Sequence, residues 1–233
     1  MWRVLCGALL GLTLSGGFVL ADIVGAEYVR PVSRYHHDIL GDTPEWGGMR
    51  LRMDNGQVLE FTLPETHIFE DIAPRLADLD GDGAPEVIAV ETSLTAGARL
   101  TVWDQDGVRA ATPYIGRRNR WLSPIGAADL DGDGKVEIAY IDRPHLARLL
   151  RIWRYEDGQL TLVGERDGLT NHRIGDATIT SGIRTCAGQP EMITVNRDWS
   201  RIMASVFDGT RVTVRDIGRY RGPESLRARL DCS

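Results

Sequence analysis

The chain has 233 residues, of which 42% are hydrophobic and 26% charged, with a net charge of −6 at neutral pH. That length is enough to bury the core of one large β domain. Its mild acidity, with no run of basic residues, argues against nucleic acid as a partner.

The first 21 residues read as a cleaved signal peptide. Arg3 supplies the positive charge, "VLCGALLGLTL" the apolar run, and "SGGFVLA" a stretch of small and apolar residues ending at Ala21. The apolar run is too short to cross a bilayer, which takes about 20 residues. An uncleaved anchor is the alternative. The expected mature chain starts near Asp22, works in the periplasm or outside the cell, and keeps no membrane span.

From there the sequence is organised by a period. Asn55-Gly56, Asp106-Gly107, Asp157-Gly158 and Asp208-Gly209 place four glycines at equal 51-residue spacing. Each dipeptide sits between two alternating runs: "MRLRMDNGQVLEFTL", "ARLTVWDQDGVRAAT", "LLRIWRYEDGQLTLV" and "RIMASVFDGTRVTVR". Such a dipeptide between period-2 runs predicts a hairpin, with a two-residue type I′ turn that needs positive φ at both centres. A second strand pair precedes each hairpin, as in "APRLADLDGDGAPEVIAV" and "PIGAADLDGDGKVEIAYI". The first unit is the most degenerate, with "RPVSRYHHDILGD" where the loop should be.

Four strands in about 50 residues is one propeller blade. The expected fold is all-β, a β-propeller of about four four-stranded blades over residues 22–218, followed by a tail over 219–233. An incomplete propeller, an open β-repeat stack and homo-oligomerisation to complete the ring are the alternatives.

The sharpest chemistry lies in two loops, "DLDGDGAPE" from Asp78 to Glu86 and "DLDGDGKVE" from Asp129 to Glu137. Calcium takes six to eight hard oxygen ligands. A turn through the glycines would converge Asp78, Asp80 and Asp82, with the Ala84 carbonyl and Glu86 completing the shell. In the second loop the set is Asp129, Asp131, Asp133, the Lys135 carbonyl and Glu137. Without an ion, such carboxylates repel and raise one another's pKa. A solvated acidic turn would explain one such loop, but poorly explains two at the same period. An EF-hand is excluded: its twelfth position, a bidentate acid, is Ala89 in one loop and Tyr140 in the other.

These loops resemble those of FG-GAP/VCBS repeats, the integrin-like calcium loops in which an aspartate ladder precedes a short apolar strand. The resemblance implies a β-propeller with Ca²⁺ in the loop joining the first two strands of a blade, and a role in adhesion, ligand binding or assembly. Such propellers commonly have seven blades, whereas this chain counts four. Its last repeat has Ile183, Thr185 and Ala187 where the others carry aspartates. Cys186 falls in that degraded loop, and a disulfide to Cys232 would restrain it where the ion no longer does.

A ligand rim is expected where the chain crosses between blades. His67, Asn119 and Asn171 recur 52 residues apart. Arg118, Arg120, Trp121, His172 and Arg173 beside them would make a cationic, partly aromatic mouth suited to anionic or sugar ligands. The competing view is that these residues cap strands and pair with nearby acids.

The sequence has no HExxH zinc spacing, no Gly-x-Ser-x-Gly elbow and no Gly-rich phosphate loop. The expected function is a noncatalytic, calcium-binding scaffold for a protein or glycan. A calcium-assisted hydrolase or lyase acting on anionic sugars or phosphates is the alternative.

Overall fold

The computed structural model describes residues 21–232. The leader read from the sequence lies outside the described residues, apart from Ala21. Among the described residues, no helix is long and apolar enough to cross a membrane.

The chain is all-β and built in four units. The first holds β1 (Ile23–Val32), β2 (Glu45–Met53) and β3 (Val58–Thr62). The second holds β4 (His67–Phe69), β5 (Arg75–Ala77), β6 (Glu86–Ser93), β7 (Gly97–Asp104) and β8 (Gly107–Ala111). The third is β9 (Leu122–Ala128), β10 (Glu137–Asp142), β11 (Leu149–Glu156) and β12 (Gln159–Asp167). The fourth is β13 (Leu169–Thr170), β14 (Gly182–Cys186), β15 (Gln189–Asn196), β16 (Arg201–Phe207) and β17 (Val212–Arg219), followed by α1 (Pro223–Arg227). All pairings are antiparallel, and a bridge from Trp46 to Phe69 joins the first two units into one eight-stranded sheet.

The four Gly-ending dipeptides do form the hairpin tips, but only one meets the type I′ requirement. Asp157 and Gly158 have φ of 50° and 70°. At the other three tips only the glycine is left-handed. There an aspartate or asparagine side chain closes the turn, as Asn55 Oδ1 does by accepting from the Gln57 amide and Asp208 Oδ1 from Thr210 and Arg211. This side-chain turn gives the backbone an alternative to the two-residue loop.

Alternation along the central strands explains the packing. Val87 and Ala89 of β6 join the apolar layer between units one and two, whereas Ile88 and Val90 join the layer between units two and three. In β10, Ile138 and Tyr140 face that second layer, and Ala139 and Ile141 face a third, shared with unit four. Strands buried on both faces read as near-continuous apolar runs, and every residue of β6 and β10 is buried. Trp103 and Trp153 fill the first and second layers.

Four units thus make three apolar layers. The outer face of unit one is charged, with Arg50 bonded to Glu60 and Glu27 and Arg30 to Glu60. On unit four, Ile193, Val195 and Ile202 are covered by Leu226 of α1 with Tyr220 and Leu230. The tail is tied down by a disulfide between Cys186 and Cys232. A polar or capped outer face at each end is what a stack of repeats needs for solubility.

The β1–β2 connection, residues 33–44, crosses the centre. Ile39 and Leu40 insert into the layer of units two and three. Tyr35 is fully buried, and its hydroxyl accepts from the Asn119 amide at 2.7 Å. The Gly175 amide donates to the Ile39 carbonyl at 3.2 Å. The segment that looked like a degenerate loop therefore touches all three other units.

Candidate metal centre

Each Asp-rich loop joins the strand before it, β5 or β9, to the buried central strand. Glycines at φ of 78° and 93° (Gly81, Gly83) and of 82° and 87° (Gly132, Gly134) make the tight turn that β-carbon sterics deny other residues. In the first loop Asp78 accepts from the Gly81 and Gly83 amides at 2.8 and 3.1 Å. Asp80 accepts from Asp82, Asp82 from Ala84, and buried Glu86 from Leu79 at 2.8 Å. The second loop repeats this set through Asp129, Asp131, Asp133 and Glu137.

The result is convergence. Carboxylate oxygens of Asp78, Asp80 and Glu86 lie within 4.8 Å of one another, as do those of Asp129, Asp131 and Glu137. Burial raises the pKa of Glu86, and the nearby Asp80 and Asp82 raise it further. A divalent cation would relieve both effects. Among the described residues, no cationic side chain pairs with Asp78, Asp80, Asp82 or Glu86. The loop borders a polar cavity of about 260 Å³ that Asp104, Asp106 and Arg109 also line. The converging donors are all oxygens, which fits calcium, and Arg109, which shares the hollow, is paired with Asp104.

The second loop is different. Arg154 of β11 places Nη2 2.5 Å from Asp131 Oδ2, Nη1 3.1 Å from Asp133 Oδ2 and Nε 2.6 Å from Glu137 Oε1. Burial raises the Glu137 pKa, with Arg154 opposing. Lys135 extends its side chain to Glu156.

The rim residues divide. Asn119, Arg120 and Trp121 line a cavity of about 280 Å³ together with His37, Arg143 and His145. Trp121 is buried and donates from Nε1 to the Glu70 carbonyl at 2.7 Å. His172, also buried, contacts the edge of the Trp121 ring and hydrogen-bonds to His145. Arg118 donates to the Tyr35 carbonyl, and Asn171 is buried against Ser123 and Ser181. His67 stands apart, beside Glu91 and Tyr114. Arg173 stacks on Trp199 in unit four.

Sequence reasoning missed Arg154, His145 and the His37–Glu70 pair. Arg154 was within reach: Trp103 and Trp153 pair with equivalent residues of β6 and β10, so Arg154 stands where the preceding unit has Asp104.

Residues 63–140, which contain both acidic loops, match the family model of an FG-GAP-like repeat. That segment is FG-GAP-like. No curated protein matches it. The match runs from the end of unit one into β10 of unit three, and the recurring strand order extends the pattern to unit four.

Proposed function

We propose that this chain is an exported, calcium-binding scaffold that holds a protein or glycan partner and performs no chemistry of its own. The observation that carries this reading is the first acidic loop. Three carboxylates there, those of Asp78, Asp80 and Glu86, converge, pair with no cationic side chain among the described residues, and border a polar hollow that Asp82 and Arg109 also line. Calcium bound there would lock the β5–β6 connection to the buried end of β6, stiffening the unit that the neighbouring units pack against. Export is supported by the disulfide, a bond that persists in oxidising compartments. The partner reading rests on the cavity beside Trp121. It offers an aromatic and histidine wall with Arg120, which makes no ion pair among the described residues, at its edge. Such a surface suits an anionic carbohydrate or an acidic peptide.

A thermal melt of the protein from Asp22 onward, in calcium and in EGTA, tests the calcium reading. At 100 times the dissociation constant, a site specific to the folded state adds about 2.7 kcal/mol. For a domain of this size that raises the melting temperature by about 5–11 °C. Coincident melts at millimolar calcium would overturn it.

A further inference from the structure

The two acidic loops share a sequence pattern and a backbone, yet they face different surroundings. In the second loop three carboxylate oxygens that the backbone amides leave free are taken by one guanidinium: Asp131 Oδ2, Asp133 Oδ2 and Glu137 Oε1. Their counterparts in the first loop are Asp80 Oδ2, Asp82 Oδ2 and Glu86 Oε1, and among the described residues none of these is hydrogen-bonded or paired with a cation. Where Arg154 stands, the first unit of the pair has Asp104, whose own partner is Arg109 at 3.1 Å.

We propose that Arg154 is the resident cation of the second loop, and that the chain binds one calcium ion, in the first loop, instead of two. This inference rests on the calcium reading for the first loop only.

Three observations beyond the acidic cluster carry it. Arg154 lies directly across the sheet from Glu137, so its head group is delivered by strand register and pays no cost of association. Its planar fork matches three acceptors at once, which a lysine head could not do in the same way. The loop is also covered at Asp131: its side chain is only 6% exposed, and the unit-four hairpin tip lies so near that a Cβ on Gly209 would sit 2.9 Å from Asp131 Oδ2. In the first loop, by contrast, Asp78, Asp80 and Asp82 are all exposed.

Unit four continues the series. Its ladder is gone, and the surviving Glu191 is held by Arg184 at 2.7 Å and Arg215 at 2.5 Å. Arginine has taken over the buried glutamate in two successive units.

Calcium titration by calorimetry, with the protein from Asp22 onward, separates the possibilities. The native chain is expected to bind one ion, and Arg154→Gln two. Asp80→Asn should abolish binding, while Asp131→Asn leaves one ion bound, so the assignment does not depend on Arg154→Gln folding. Two ions in the native chain, or loss of the single ion with Asp131→Asn, would overturn the inference while leaving calcium binding intact. No ion in the native chain and one in Arg154→Gln would sink the first-loop reading and leave the role of Arg154 standing. No ion in either protein overturns both.

Discussion

The staple between Cys186 and Cys232 should be a main support of the fourth unit. Replacing both with serine opens a loop whose ends are 46 residues apart in sequence. In the chain-entropy model a loop of that length is worth about 4 kcal/mol. For a chain of this size the melting temperature should fall by roughly 8–16 °C. The loss has a local component too. Leu230 packs over Gly182, where even a Cβ would lie 2.9 Å from its methyl group, and Leu226 covers Ile193, Val195 and Ile202. Without the staple, the 220–232 tail should detach before the sheets melt, exposing Arg227 and Arg229 to trypsin. Calorimetry of the double variant, paired with limited trypsinolysis under native conditions, reads both effects. A melting temperature within about 2 °C of the native protein, or two free thiols in the unreduced protein by mass spectrometry, would refute the argument.

Three further outcomes follow from particular contacts. Leu226→Ala, with the disulfide intact, should cost about 2–4 kcal/mol in urea unfolding, because a buried leucine leaves a cavity over Ile193 and Val195. Tyr35→Phe should cost about 1–2 kcal/mol, since the Asn119 amide loses its acceptor at the crossing of the centre. Stability should also fall on mild acidification. Burial, aided by His172, depresses the His145 pKa from 6.5 to about 4, so the unfolded chain binds the proton first as pH drops through that window. Discounted for partial exposure, the loss is about 2 kcal/mol between pH 6.5 and 4, and His145→Gln should flatten it.

Much of the architecture was legible because it is local. A hairpin needs only a turn and two alternating runs, so four glycines at one spacing located four units. The apolar runs "EVIAV" and "EIAYI" likewise announced strands buried on both faces. What stayed hidden depends on distant contacts. Residues 33–44 carry no periodicity, and their role appears only when Tyr35 meets Asn119 and Ile39 meets Gly175, both from other units. The type I′ expectation failed at three tips because side-chain acceptors such as Asn55 and Asp208 change the turn. In the acidic loops the pattern predicted the convergence of carboxylates but treated the two as equals. The difference between them lies on a neighbouring strand, one register step beyond the tryptophans.

That asymmetry fits the position of the units in the stack. The unit-four hairpin lies against Asp131 in the acidic loop of unit three, where part of the loop's charge is offset from within the chain. An arginine delivered by the sheet offsets part of this charge whatever the calcium supply. The loop of unit two, by contrast, opens beside Ala21, Asp22 and Ile23 with Asp78, Asp80 and Asp82 exposed, so solvent and ions have access. On the calcium reading, an ion bound there would stiffen the entry to β6, the strand on which units one and three both pack. Calcium would then tune the first half of the chain, and the arginines and the disulfide would maintain the second.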